Sequence, residues 1–89
     1  MPTIAMFYGI LIKLYFYDDK KHSEPHLHAE YGEHEASIAI ESGKVLAGSL
    51  PISKMKLVQA WIEIHKEDLL ADWKLAIAGE TVFKIDPLK

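Results

Sequence analysis

The sequence predicts an α+β fold: an antiparallel meander of about four strands, with two helices packed on one face of the sheet. Up to residue 50, segments of alternating polar and apolar residues indicate half-buried strands. After Pro51, apolar residues instead recur at helical spacing. The chain has 89 residues and no linker-like composition, so we expect residues 1–89 to form a single domain.

The first predicted strand runs from Ile10 to Tyr17, where β-branched and aromatic residues alternate with other side chains after a short lead-in that ends at Gly9. Residues 18–25 are charged and end in a proline, which predicts a loop. Gly32 and Glu33 are expected to form the two-residue turn of the hairpin that follows. A second tight turn at residues 42–43 leads into a predicted strand over residues 44–50.

The Gly32-Glu33 turn predicts a register that separates the hairpin into an apolar and a polar face. The apolar face is expected to lie under the helices and carries Leu27, Ala29, Tyr31, His34, Ala36, Ile38 and Ile40. The polar face carries His26, His28, Glu30, Glu35, Ser37, Ala39 and Glu41. A shift of one residue would mix the two sets and bury charged groups, so the pattern favours this register.

Two helices are predicted after Pro51. Ser53 is the expected N-cap of the first, whose apolar side includes Trp61. The helical phase breaks near residues 66–68, so a second helix is expected to carry Leu69, Leu70, Trp73, Ala76 and Ile77. Gly79 is the expected C-terminal cap. Both tryptophans are expected to anchor the core.

The histidine pair His26 and His28 is the candidate functional site. In a strand both imidazoles point to one face, with their Cα atoms about 6.5–7 Å apart. Because the chain has no cysteine, a transition-metal site would use His, Asp and Glu. The candidate metal set is His26, His28 and Glu30, with Glu35 as an alternative third ligand, for an ion such as zinc. The alternatives are a functional surface without metal, or imidazoles that are hydrogen-bonded for structural reasons.

His65 is a further candidate ligand-binding residue, beside His26, His28 and Glu30. It lies within the apolar arc of the first helix, where a hydrogen-bonded core histidine is the more common role. A functional role would require the helix layer to approach the strand histidines. The predicted register makes that approach difficult, because the helices should cover the opposite face.

The composition argues against several classes of partner. The net charge is −3, and all ten cationic side chains are lysines, so we expect no DNA binding and regard RNA as a poor substrate. The opening Met1-Pro2-Thr3-Ile4 lacks the basic segment of a signal peptide, and no apolar run reaches membrane-spanning length. A cytoplasmic protein without membrane contact is the expectation.

Several motifs together resemble the DUF4160 family, a bacterial domain of unknown function. They are the opening Met-Pro-Thr-Ile, Phe16-Tyr17, the run from Pro25 to Tyr31, Gly43, and the helical run from Trp61 to His65. The sequence departs from the family at Glu24, where a proline is common. The family is often encoded beside another small protein, so the resemblance implies a two-gene, toxin–antitoxin-like system and no established activity.

The sequence therefore favours an interaction module that binds a small protein from a neighbouring gene through the face of His26 and His28. The alternative is a small metal-dependent or histidine-based hydrolase, or a ribonuclease toxin, because imidazole titrates near neutral pH. No phosphate-binding glycine loop or serine nucleophile elbow supports a particular reaction.

Overall fold

The computed structural model describes residues 3–16 and 24–88, which form one antiparallel sheet and two helices. The strands are β1 (Thr3–Phe7), β2 (Ile10–Lys13), β3 (His26–Tyr31), β4 (His34–Ala39) and β5 (Val45–Ser49). The helices are α1 (Ile52–Ile64) and α2 (Lys66–Ile77). The strands pair in chain order, β1 through β5, as a simple meander. The predicted α+β class is confirmed; residues 18–23 of the predicted loop lie outside the described residues.

The strand missing from the sequence prediction is β1, which was expected to be only a lead-in. A bulge interrupts its pairing with β2 between Thr3 and Ala5. Consequently Ile4 and Ala5 are both buried, and the alternation typical of a strand is lost. The described sheet therefore has five strands, not about four.

The predicted register of the central hairpin is confirmed residue by residue. Tyr31 pairs with His34 across the Gly32-Glu33 turn, and Leu27 pairs with Ile38. Leu27 and Ile38 are fully buried. They share one hydrophobic core with β1, β2 and both helices, and this core contains Trp61 and Trp73 as expected. The helices therefore cover the apolar face of the hairpin.

The helix boundaries differ from the prediction in two places. Helix α1 begins at Ile52 with Pro51 as its N-cap, so Ser53 lies inside the helix. The carbonyl of Pro51 accepts the N–H groups of Lys54 and Met55, and no side-chain hydrogen bond caps the first turn. The break between the helices falls at His65, immediately before the predicted range. Gly79 follows the end of α2 with a positive φ of 75°, as expected of a residue that terminates a helix.

The residues after α2 return to the sheet without forming a helix or strand. The N–H of Ile85 donates to the carbonyl of Ile4 over 2.8 Å, so the end of the described chain lies beside β1. Val82, Ile85 and Leu88 pack against the core. Neither helix is long and apolar enough to cross a membrane; this finding covers the described residues.

Candidate functional site

The face of the sheet opposite Leu27 and Ile38 brings together side chains from β2, β3 and β4, together with one residue just after β2. His28 pairs with Lys13 on one side and with Ser37 on the other, so the three side chains project in a row. All three are half-buried. We use the name open face for this surface, which consists of Lys13, Tyr15, His28, Glu30 and Ser37.

His28 is held on both sides by neighbours on the open face. Its Nδ1 forms a 3.3 Å hydrogen bond with the Ser37 Oγ, in which the donor depends on the imidazole tautomer. The Tyr15 ring meets the imidazole edge to face, with ring centroids 4.4 Å apart. These contacts restrict the rotation of the imidazole. His28 is therefore a partly exposed titratable group in a fixed orientation.

His26 lies on the predicted face of β3, but it is buried there and not exposed. Its side chain is only 1% exposed because Trp73 of α2 packs against it, with ring centroids 4.9 Å apart. Its Nδ1 lies 2.9 Å from the carbonyl oxygen of Glu24. A carbonyl can only accept, so Nδ1 carries the hydrogen and donates it. His26 is an ordered, hydrogen-bonded residue beneath the site.

The two histidines nevertheless remain in contact. Their ring centroids are 5.3 Å apart at an interplanar angle of 69°. Together with the contacts of Tyr15 and Trp73, they form a continuous row of four rings from the open face to α2, which we call the ring row. The ring row therefore connects His28 to α2 through direct contacts.

Glu30 shares the open face but is already paired with a cation. The Nζ of Lys13 lies 3.2 Å from each of its carboxylate oxygens. Within residues 3–16 and 24–88, no group of three or more His, Asp or Glu side chains is arranged to hold a metal ion. The described residues thus do not fit a three-ligand zinc site. The set His26, His28 and Glu30 stays a sequence-based prediction.

His65 lies away from the open face, at the junction of the two helices. Its ring packs against Trp61, with centroids 5.4 Å apart, and the other side of Trp61 contacts Phe7. It also lines a cleft of about 360 Å³ between α2 and the residues that follow it, shared with Asp68 and Asp72. None of these contacts joins His65 to the strand histidines. The His65 side chain is half-buried, and its role stays a sequence-based prediction.

Asp72 is the one described group in this cleft with a clear electrostatic perturbation. Burial raises the pKa of its carboxyl group, the charge of Asp68 raises it further, and a hydrogen bond from the Phe83 N–H partly opposes the shift. The side chain is 3% exposed, and its Oδ2 has no hydrogen-bond partner among the described residues. An ionised carboxylate is disfavoured in such a position.

Sequence reasoning did not identify Tyr15, Lys13 or Trp73 as parts of the site. The hairpin register placed Ser37 on the face of His28, but the pairing of β2 with β3 depends on a connection of many residues and could not be inferred. Turn length fixes register only in short hairpins. The contact of Trp73 depends on how far α2 reaches across the sheet, which periodicity does not show.

The comparisons with known proteins identify a family and no individual relative. A family model described as a domain of unknown function, DUF4160, matches residues 9–74. This range contains β2 to β5, α1 and most of α2, and therefore the whole open face. A search of curated proteins and a search of solved structures each found no match.

Proposed function

The chain belongs to the DUF4160 family, and from this premise we propose that it is a cytoplasmic interaction module of a two-gene, toxin–antitoxin-like system. Its partner is a small protein encoded by a neighbouring gene, and the open face is the surface that binds it. His28 stands at the centre of the contact. His26 supports it from below.

The observation that carries this proposal is the composition of the open face and its surroundings. The opposite side of the sheet packs in the core with both helices, while this side presents half-buried polar and aromatic groups and meets α2 at His26, through Trp73. Beside them lie the half-buried Leu11 and Met6, whose side chain is 64% exposed. Apolar and aromatic side chains next to ordered polar groups are typical of protein interfaces.

The side chains of the open face already contact one another in the absence of a partner. Lys13 and Glu30 hold each other, and Ser37 and Tyr15 hold His28. Fewer rotamers are then lost when a partner binds, which favours affinity. The absence of arginine and the acidic net charge support a protein partner in preference to RNA.

A matched pair of histidine variants tests the proposal. His28→Ala should weaken binding of the neighbouring gene's product by at least about tenfold in calorimetry, which corresponds to about 1.4 kcal/mol. The control is His34→Ala, which removes an exposed histidine at the turn of the same hairpin. Both variants should keep the far-UV dichroism of the unmodified chain. Equal binding by both variants, or equal loss in both, would contradict the role of the open face.

A second function has one specific observation in its favour. The hydrogen bond between His28 and Ser37 joins a base to a hydroxyl, the pairing that histidine-based hydrolases use to activate a nucleophile. In such a reaction the imidazole would take the Oγ proton while Oγ attacks the ester carbonyl, the imidazolium would protonate the departing alcohol as its C–O bond breaks, and water would then release the acyl group as the acid and restore Oγ–H. Partner binding and hydrolysis can be separated with Ser37→Ala. Hydrolysis of an activated ester should be lost in that variant if Ser37 is a nucleophile, whereas an interaction module should show no esterase activity above background in either chain.

A further inference from the structure

The residues after α2 form a strap that crosses three elements of the fold. We define the C-terminal strap as residues 82–86. Its hydrogen bonds reach β1, α1 and α2: the Ile85 N–H donates to the Ile4 carbonyl over 2.8 Å, and the Trp61 indole N–H donates to the Asp86 carbonyl over 2.7 Å. The third bond, from the Phe83 N–H to Asp72 Oδ1, spans 3.1 Å.

The strap lies along the free edge of β1. This strand is the first of the sheet and pairs only with β2 among the described strands. An edge strand presents unpaired backbone groups that can receive another extended segment. Here the chain's own Ile85 makes one such contact, and its side chain packs into the core. The edge of β1 therefore already accepts a backbone N–H from a segment whose apolar side chain packs against the core.

The strap fills this edge incompletely. A groove of about 440 Å³ remains between residues 3–6 of β1 and residues 84–87, and much of its lining is apolar. Within the described residues, the hydrogen bond of Ile85 to Ile4 is the one backbone bond between strap and strand. A regular antiparallel neighbour would add bonds at alternate residues. A longer extended segment could thus pair with β1 more completely than the strap does.

The attachment of the strap to α2 also includes an energetically unfavourable group, a buried carboxylate oxygen of Asp72. Asp72 accepts the Phe83 N–H through Oδ1, but its Oδ2 is buried without a partner among the described residues. Opening the strap would let water reach this oxygen and so compensate part of the lost contact. Phe83 contributes little apolar burial, since its side chain is 70% exposed. Both features favour a strap that can be displaced.

We propose that the edge of β1 is a peptide-docking surface, where an extended segment of a partner protein, with apolar side chains at alternate positions, replaces the C-terminal strap. This surface adjoins the open face at Met6 but lies along the edge of β1, and it does not depend on the function proposed for the open face. The mode of binding is strand addition, in which backbone hydrogen bonds supply affinity and apolar pockets supply selectivity. The strap acts as an internal competitor.

The experiment uses a fluorescent synthetic peptide with the sequence of residues 81–88 as the probe. In the full chain, Phe83→Pro removes the N–H that Asp72 accepts while sacrificing a mostly exposed side chain. Fluorescence anisotropy should show that this variant binds the peptide at least about tenfold more tightly than the unmodified chain, because its own strap competes less. A peptide N-methylated at the position of Ile85 should lose this binding, since it cannot donate to Ile4.

Three results would overturn the proposal. One is equal peptide affinity for the variant and the unmodified chain. Another is equal binding by the N-methylated peptide. The third is failure of a folded variant to bind when hydrogen exchange shows that its strap has been released. If Phe83→Pro does not fold, Asp72→Ala removes the same hydrogen bond from the α2 side, and the same outcomes apply to it.

Discussion

Replacing Gly48 by alanine should destabilise the chain in two ways: it places a side chain on a left-handed backbone, and it forces a Cβ against the backbone of β4. Gly48 lies in β5 opposite Ala36, with a φ of 73°. A Cβ at this position would overlap the carbonyl oxygen of Glu35 and come within 3.0 Å of its carbon and 3.1 Å of the Ala36 Cα. These are backbone atoms of β4, which cannot move away without disturbing the pairing of β4 with β5.

Gly43 provides the matched control. Its φ is 75°, nearly that of Gly48, yet a Cβ there would meet no atom within 4 Å. Gly43→Ala should therefore lower the free energy of unfolding by about 1–2 kcal/mol, the cost of placing alanine on a left-handed backbone. Gly48→Ala adds the loss of one or two strand-pairing hydrogen bonds. Its total effect on the free energy of unfolding should be roughly 2–5 kcal/mol.

Urea denaturation followed by tryptophan fluorescence measures both values, because Trp61 and Trp73 are buried in the core. The slope of the free energy against urea should be unchanged for Gly43→Ala, which indicates an intact native state. An equal loss of stability in the two variants would refute the reasoning, since it would mean that the close approach of β4 at Gly48 has no energetic consequence. A Gly48 variant as stable as the unmodified chain would refute it as well.

Three further predictions concern the core, the cleft and the site. Ile38→Ala should destabilise the chain by roughly 2–4 kcal/mol in urea denaturation, because it leaves a cavity under the helices; a loss below about 1 kcal/mol would contradict this packing. Since the folded pKa of Asp72 is raised, its contribution to stability is present at low pH and is lost as pH rises through that pKa. The thermal stability of Asp72→Asn relative to the unmodified chain should therefore increase with pH, and a flat difference would contradict burial of the charge. His26→Ala should lower thermal stability more than His28→Ala does, because only His26 is fully buried against Trp73; the reverse order would contradict the ring row.

The fold was predictable where two-faced patterns and short turns act together. In the hairpin of β3 and β4, the two-residue turn fixes the pairing, and a shift of one residue would mix the faces. The same logic placed Ser37 on the face of His28. The phase of the helical pattern likewise located the junction at His65 to within one residue.

Prediction failed where backbone irregularity or long-range packing decides the outcome. Because of the bulge in β1, the consecutive residues Ile4 and Ala5 are both buried, so this strand lacks the alternating pattern by which strands are predicted. The burial of His26 depends on Trp73, which lies far along the chain. Such contacts follow from the angle at which a helix crosses the sheet, and no local pattern in the sequence encodes that angle.

The course of the chain also has a kinetic consequence. Every strand pairs with its neighbour in sequence, so the meander can assemble from local hairpins, a topology that favours rapid folding. The contact of Ile85 with Ile4 is different, because it closes a loop between nearly opposite ends of the chain. It can form only after the sheet and helices have brought those ends together. We therefore expect the C-terminal strap to dock last during folding and to exchange its amide hydrogens before the rest of the native structure opens.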